Sequence, residues 1–452
     1  MLLKKATLLL IAAFGCCSLR AQEAQPFSLQ EAIDYALDNN VDMKNARLDH
    51  ESSDYEIGEI LSIGLPQVSG SVNLTSNIVV PKSPVPAEFF GGEPGEFAFV
   101  AFSPKHQGNL NVTLDQLIFD ASYFIGLKAA RQLKELTYKD VQLSEIQTKE
   151  NVTKAYYTAI IQQERVELFE RQLGTIDTLL LETTYMYENG FAEKIDVSRI
   201  KVQHNNLRVE KERFDRVAKL SFDLLKFQMG MPISQPIELT ENLDDIDFIQ
   251  PTYDLINFDY ANRLEFSRLK TSEDLQLTNM KNIRSGYYPN LQGFASIAGN
   301  AGSPNFSDVT SFDFSGADRN WFENVAVGLT LNVPIFDSFK KHNQIQKVRV
   351  TLRQIDNQYD QLRSSIDLEI SQARTDLYSS VNNLEAQEEN LELSKEIYDV
   401  SKIKYQEGVG SNIEVINATT TYKEAEINYY NALYDALIAK VDLQKALGNL
   451  NN

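Results

Sequence analysis

Residues 121–187 contain no proline and only two glycines, Gly126 and Gly174. Nothing in that stretch breaks a helix. A helix of this length would extend about 100 Å at 1.5 Å rise per residue. No globular domain of ordinary size encloses such an element, so it must lie along other long helices. Its apolar residues are sparse, with Leu133, Leu136, Leu143 and Ile146 in the early turns. Ile200, Leu207 and Phe214 then recur every seven residues, and Ile427, Tyr430, Tyr434, Leu437 and Val441 step by threes and fours. Stripes this narrow seat against neighbouring helices in coiled-coil fashion and leave the other faces wet. A solid soluble bundle would show a broader apolar face.

The chain is written twice. Leu65-Pro66-Gln67 recurs as Tyr288-Pro289-Asn290, and Leu117-Ile118-Phe119-Asp120 recurs as Val333-Pro334-Ile335-Phe336-Asp337. Tyr187-Glu188-Asn189-Gly190 recurs as Tyr405-Gln406-Glu407-Gly408, and Met229-Gly230 as Leu447-Gly448. The offset from Gly190 to Gly408 equals that from Gly230 to Gly448, and the offset from Phe119 to Phe336 differs from it by a single position. Only the step from Pro66 to Pro289 is clearly longer, so only the segment before the Phe landmark differs in length. Landmarks held in register over half a chain indicate a duplication. The expected organisation is a first repeat over 22–230, a linker over 231–251 and a second repeat over 252–452. Each repeat opens with a helical stretch (29–61 and 253–283). A strand, a Gly- and Pro-rich loop and a second strand follow, and then two very long helices meet at the Tyr-x-x-Gly landmark.

The strands alternate. Leu110, Val112 and Leu114 put one face apolar while Asn111, Thr113 and Asp115 make the other polar. Val325, Val327, Leu329, Leu331 and Val333 alternate with Ala326, Gly328, Thr330 and Asn332. Residues 68–80 and 291–299 follow the same rule more loosely. Period-2 runs of this kind suit a transmembrane barrel with a wet lumen, but an ordinary half-buried antiparallel sheet has the same local pattern. The long helices favour the barrel. Four strands cannot close one, because the smallest transmembrane barrels need about eight. Three copies would supply twelve.

The first residues set the compartment. Lys4 and Lys5 precede an apolar run from Ala6 to Phe14 and a small-residue site near Ala21, which reads as a secretory signal peptide over 1–21. Both cysteines, Cys16 and Cys17, lie inside it, so cleavage leaves a chain without disulfides or thiolate sites. Ala13-Phe14-Gly15-Cys16 also has the outline of a degraded lipidation site, and lipidation stands as the alternative to simple cleavage. Removal of 1–21 takes away three basic groups and no acidic one, which moves the net charge from −20 to −23. A charge of that sign repels phosphate backbones and argues against nucleic-acid binding. No later stretch approaches 18 consecutive apolar residues, so a helical membrane span is excluded and only a barrel could place the chain in a bilayer.

No catalytic constellation is visible. His50, His106, His204 and His342 are scattered without a helical metal pair, and no phosphate-binding glycine loop follows a strand. Neither enzyme chemistry nor a metal or cofactor is expected, so energy for any transport must come from a partner. The segment 81–105 carries Phe89, Phe90, Phe97, Phe99 and Phe102. Its counterpart near 301–320 carries Phe306, Phe312 and Phe314, with Trp321 adjacent. Mutual packing of these rings is the expectation.

Tyr405-Gln406-Glu407-Gly408, the run Ile413-Glu414-Val415-Ile416-Asn417-Ala418-Thr419-Thr420-Thr421-Tyr422, and Lys445-Ala446-Leu447-Gly448 together resemble the TolC family of outer-membrane efflux proteins. Tyr187-Glu188-Asn189-Gly190, Ile195-Asp196-Val197 and the opening Ser28-Leu29-Gln30-Glu31-Ala32 resemble it too. The resemblance implies an α+β membrane protein. It would be a trimeric twelve-stranded β-barrel, four strands per chain, in outer-membrane lipid and continuous with a long α-helical periplasmic tunnel. It also implies a periplasmic adaptor and an inner-membrane transporter as partners, for the export of small molecules. By position, Asn189, Gly190, Phe191, Glu407, Gly408 and Val409 would form the tips that the adaptor contacts. Glu414 would face the threefold axis at the periplasmic entrance constriction, with Asn417 where a second acid is usual. Asp196 is present in the first tip, but Gly410 stands where an arginine partner would complete a latch. Two rivals remain: the outlet of a one-step protein secretion system, which the same walls would serve, and a periplasmic coiled-coil scaffold without a pore.

Overall fold

The computed structural model describes residues 25–241, 258–315 and 320–450. The expected signal peptide and the second part of the expected linker lie outside the described residues. The chain divides into two compact units, one of residues 1–50, 137–270 and 357–452 and the other of residues 51–136 and 271–356.

The first unit is helical. Strand β1 (Gln25–Phe27) leads into α1 (Leu29–Asn39), whose start is set by a capping box: Ser28 Oγ accepts from the Glu31 amide while the Glu31 carboxylate accepts from the Ser28 amide. The helical stretch expected over 29–61 is not continuous. Asn40 leaves the helix and α2 (Val41–Ile63) restarts beyond it. The side chain of Asn40 explains the break. Its Oδ1 accepts from the amides of Asp42 and Met43, as an N-cap does, and its Nδ2 donates to Gln228 O.

The 121–187 stretch is one helix, α3 (Ala121–Glu188), followed by α4 (Lys194–Met229). Beyond it, residues expected to serve only as a linker form β6 (Ile237–Leu239), which pairs in parallel with β1. Met231 and Leu239 are buried there, beside Phe27, Ala32, Ala36 and Tyr156. The Tyr156 hydroxyl donates to Phe27 O at 3.0 Å, tying α3 to the first strand.

In the second half, residues 253–257 of the expected opening helix lie outside the described residues, and α5 (Leu264–Ser285) follows a short 3₁₀ turn at Tyr260–Asn262. The paired long helices are α7 (Lys340–Gln406) and α8 (Asn412–Ala446). Ile200 and Leu207 are fully buried, and Phe214 packs beside them against Phe169, so the heptad stripe is the seam it was expected to be. Leu437 and Val441 are likewise buried on α8.

The second unit holds the sheet. Strands β2 (Gln67–Ser76), β5 (His106–Phe119), β7 (Asn290–Ser303) and β8 (Trp321–Asn332) form an antiparallel sheet in the order β2-β5-β7-β8. Between β2 and β5 lies a small hairpin of β3 (Ser83–Pro86) and β4 (Phe97–Val100), and a one-turn helix α6 (Phe306–Thr310) precedes β8. The two strand-ending landmarks behave differently. β5 runs through to Phe119, whereas β8 stops at Asn332 and Val333 lies beyond it, because Pro334 has no amide hydrogen to continue a ladder. Both landmarks still start a helix with an aspartate. Asp120 Oδ1 accepts from the Ser122 amide at 2.7 Å, and Asp337 Oδ2 accepts from the Lys341 amide at 3.2 Å.

Candidate functional site

Cross-strand register shows how the sheet is faced, because residues directly opposite in an antiparallel pair project to the same side. Val68 lies opposite Leu114, Leu114 opposite Ala295 and Ala295 opposite Val327. One step along, Gly70, Val112, Ile297 and Val325 form the next row. The other side is polar: Ser69, Thr113, Ser296 and Ala326 make one row, and Ser71, Asn111, Ala298 and Asn324 another. The apolar side is exposed over most of its area, with Val68, Val72, Ile297, Val325, Val327, Leu329 and Leu331 all open to solvent in the single chain. Strands β2 and β8 each have one neighbour in this sheet, so each leaves a whole edge of amides and carbonyls unpaired. A folded chain that shows water an apolar sheet face and two bare edges is built to have both covered.

At the sheet's loop end, β8 begins with Trp321, which is completely buried. Phe312 stacks on it at 5.1 Å between ring centroids and Phe314 lies at 5.5 Å, while Val309 and Ala301 complete the cluster. Gly108 and Gly299 make room for these rings, since a Cβ at either would come within 2.8 Å of Trp321, Val309 or Phe314. Phe312 and Phe314 therefore pack on Trp321 of the strand that follows them, while Phe306 meets His106 of β5 edge-on at 5.5 Å. Phe89, Phe90, Phe97, Phe99 and Phe102 remain exposed, so the expected mutual packing of the two sets is not what this chain's own rings do.

The helix–helix turns have closely matched geometry. Gly190 has φ of 81° and Gly408 of 74°, a left-handed conformation that closes each helix and that glycine adopts without a Cβ clash. The residue after each glycine, Phe191 or Val409, is 80% exposed. Asn189 and Glu407 complete the tips. Asp196 and Glu414, spaced by the same offset as the two tip glycines, are each the third residue of a helix. The Asp196 carboxylate accepts from the Glu193 amide at 3.2 Å and pairs with Arg199 at 3.5 Å. Both partners are on its own segment, so the bonds described for Asp196 are those of a cap. At the second tip the Glu414 amide donates to Ser411 Oγ, and the side chains of Glu414 and Asn417 are exposed one turn apart. Gly410 has a steric reason for lacking a side chain: its amide donates to Lys404 O at 2.9 Å, and a Cβ would sit 3.0 Å from Lys404 Cβ and Tyr405 N.

Two carboxylates in the helical unit, Glu150 buried and Glu426 half-buried, have no signal in the sequence pattern. Glu150 accepts from Lys154 at 2.8 Å and Lys445 at 2.9 Å, and Lys154 also reaches Asp442. Burial alone would raise its pKa, but the two ammonium groups outweigh burial and hold the carboxyl below its usual range. Glu426 accepts from Gln172 at 2.5 Å. Burial raises its pKa, and the hydrogen bonds from Gln172 and Tyr422 with the charges of Arg171 and Lys395 do not cancel that rise. Among the described residues no group of three or more His, Cys, Asp or Glu could hold a metal, and no helix is long and apolar enough to cross a membrane. His204 pairs with Asp177 at 2.9 Å and His50 Nδ1 lies 3.1 Å from Thr137 Oγ1.

Residues 260–449 match the family described as outer membrane efflux protein. The outer membrane protein TolC of Escherichia coli strain K12 is 21% identical over 349 residues, covering 75% of this chain and 69% of the relative. The probable efflux pump outer membrane protein TtgC of Pseudomonas putida KT2440 is 22% identical over 300 residues, 66% of this chain and 60% of the relative. Among solved structures, the outer membrane protein VceC of Vibrio cholerae gives a TM-score of 0.67 at 15% identity, covering 93% of this chain and 96% of the other. The MtrE outer membrane channel of Neisseria gonorrhoeae, in its open state, gives 0.68 at 17%, covering 93% and 89%. At those identities the likeness establishes the fold: long helices and four strands arranged as in solved outer-membrane channels.

Proposed function

We infer that this chain, a member of the TolC family of outer membrane efflux proteins, is the outer-membrane exit duct of a tripartite system that exports small molecules across the envelope. The sheet carries the reading. One side is apolar, the other polar, and β2 and β8 are both left as bare edges. In hydrocarbon each unpaired amide or carbonyl costs several kcal/mol. Three copies remove that cost by joining β2 of one to β8 of the next. They give twelve strands with the apolar side toward outer-membrane lipid and the polar side toward a wet lumen.

The long helices then belong to the periplasm. Family members are channels, so the driving force enters through an inner-membrane transporter coupled by a periplasmic adaptor. The tips Asn189, Gly190, Phe191, Glu407, Gly408 and Val409 contact that adaptor, a role supported by Phe191 and Val409, two apolar side chains held in solvent at the turns. Glu414 supplies the charge of the entrance constriction, with the neutral Asn417 one turn on and Asp196 as a cap in the first tip. The boundaries 22–230, 231–251 and 252–452 describe two repeats around a linker.

Cysteine pairs test the assembly, since both native cysteines, Cys16 and Cys17, lie in the expected signal peptide. One cysteine on β2 and one on β8 should oxidise between chains to a covalent trimer in outer-membrane preparations. Light scattering that shows a stable monomer in detergent with its β signal intact would overturn the reading.

A further inference from the structure

At the loop end of the sheet, the polar side carries three amides in one row across β2, β5 and β7. Asn73 lies opposite Asn109, Asn109 opposite Asn300, and Asn300 opposite Phe322. Asn109 Nδ2 donates to Asn300 Oδ1 at 2.9 Å. That bond leaves Asn109 Oδ1 as an acceptor and Asn300 Nδ2 as a donor, side by side. Above the row, a cleft of about 510 Å³ is lined by these three asparagines together with Thr75, Gln107 and the ring of Phe102. Gln107 is held by its Nε2 donating to Pro104 O, whereas Phe102 is 69% exposed. None of the residues lining the cleft is charged, in a chain whose net charge is −20.

We propose that this cleft binds neutral hexose units. The chemistry of its lining selects that class. Amides offer a donor and an acceptor at the spacing of adjacent hydroxyls, and an aromatic face receives the C–H side of a pyranose ring. A phosphate or ammonium ligand would find no opposite charge and would lose hydration without return. A purely apolar ligand would leave the amides unpaired. The sugar has two sources, cargo arriving through the lumen and glycan of the outer surface, and both present the same hydroxyls. The site is complete within one chain. Only its place at the duct's mouth rests on the channel reading.

Equilibrium dialysis of labelled maltohexaose against the full-length protein in detergent reads binding without requiring conduction, so it separates this proposal from the channel reading. Saturable binding is expected, with roughly tenfold weakening in Phe102→Ala and in Asn109→Ala, the size expected for loss of one ring face or one paired amide. Both positions are on the surface, and circular dichroism should show both variants folded. In planar bilayers maltohexaose should give transient blockades. Block from the loop side only marks surface glycan as the source, and block from the tip side marks cargo. Wild-type binding retained in both variants, or equal binding of a polyethylene glycol of matched length that lacks paired hydroxyls, would overturn the site.

Discussion

Asn40 and Arg263, spaced like the Pro66 and Pro289 landmarks, make the same bond in the two halves of the chain. Asn40 Nδ2 donates to Gln228 O at 2.8 Å, and Arg263 Nη1 donates to Ala446 O at 2.7 Å. Gln228 and Ala446 are equivalent positions of the two repeats, each two before its glycine landmark, so each opening segment fastens the end of its own repeat's last helix. Both contacts sit against that glycine. A Cβ on Gly230 would come within 2.4 Å of Asn39 O, and one on Gly448 within 3.0 Å of Asn262 O. The Met-Gly and Leu-Gly landmarks therefore persist in both repeats because backbone crosses backbone there, with no room for a side chain.

The same bond has different surroundings. Arg263 is 5% exposed and its guanidinium also pairs with Glu265 and Glu369, each at 3.0 Å. Truncation leaves two partly buried carboxylates without a counter-charge, so Arg263→Ala should cost about 2–4 kcal/mol, less than a fully buried pair because both acids keep some solvent. Asn40→Ala removes a neutral cap and should cost about 1–2 kcal/mol. Denaturant midpoints followed by far-UV circular dichroism compare the two. A larger loss at Asn40 would contradict the assignment.

Gly190 and Gly230 share a positive φ, of 81° and 72°, but not their surroundings. Nothing lies near a Cβ built on Gly190, whereas one on Gly230 would run into the Asn39 carbonyl. Gly190→Ala should therefore lose only the left-handed penalty of about 1 kcal/mol and assemble normally. Gly230→Ala adds a backbone clash that must push α1 aside, and the expected result is a loss of several kcal/mol and little folded protein in the membrane fraction. Equal yields for the two variants would show that the crossing at Gly230 is soft.

Glu150 and Glu426 should answer pH with opposite signs. Glu150 is held below its ordinary value, so the folded state gains from its charge above about pH 4.5 and loses that gain as pH falls through the depressed value. Glu426 is raised, so the ionised form carries a cost that grows as pH rises above about 4.5. Glu150→Gln should thus destabilise at pH 7, by about 1–3 kcal/mol. The difference from wild type should close in acid. Glu426→Gln should be neutral or stabilising at pH 7, with its difference also closing in acid. Urea midpoints for both variants from about pH 2 to pH 8 measure this, and a loss of stability in Glu426→Gln at pH 7 would show that the carboxylate is favourably paired.

Most of the architecture was legible because it rests on residues with one physical meaning. The absence of proline from 121–187 demanded the long helix, and the glycines at 190 and 408 demanded turns with positive φ. The heptad of Ile200, Leu207 and Phe214 demanded a seam. What escaped depended on tertiary partners. Asn40 is an ordinary helix residue until Gln228 and the Met43 amide lie beside it. Val333 continues an alternating pattern until the missing amide of Pro334 ends the ladder. Trp321, which alternation alone puts on the apolar face of the sheet, is covered by Val309, Phe312 and Phe314 from a loop with no strong pattern of its own. The amide row was hidden for the same reason: Asn73, Asn109 and Asn300 are far apart in sequence, and only register places them side by side.

The entrance is the sharpest test of the channel reading, because a trimer would bring three copies of Glu414 together. Like charges in a confined space repel, and a multivalent cation that binds among them relieves the repulsion. Block of single-channel current from the tip side by such a cation should therefore disappear in Glu414→Ala. Asn417→Glu places a second carboxylate one helical turn on, and it should deepen the block by about tenfold, equivalent to roughly 1.4 kcal/mol. Asp196→Ala is the control. The partners of that carboxylate are the Glu193 amide and Arg199 on its own segment, so the variant should lose about 1 kcal/mol of helix capping and leave cation block unchanged. Glu414→Gln separates charge from side-chain size, since the Ser411 cap is made with the backbone amide and survives either change, and Gln keeps the length while removing only the negative charge. If Glu414→Gln and Glu414→Ala both retain wild-type block, the constriction lies elsewhere on the chain.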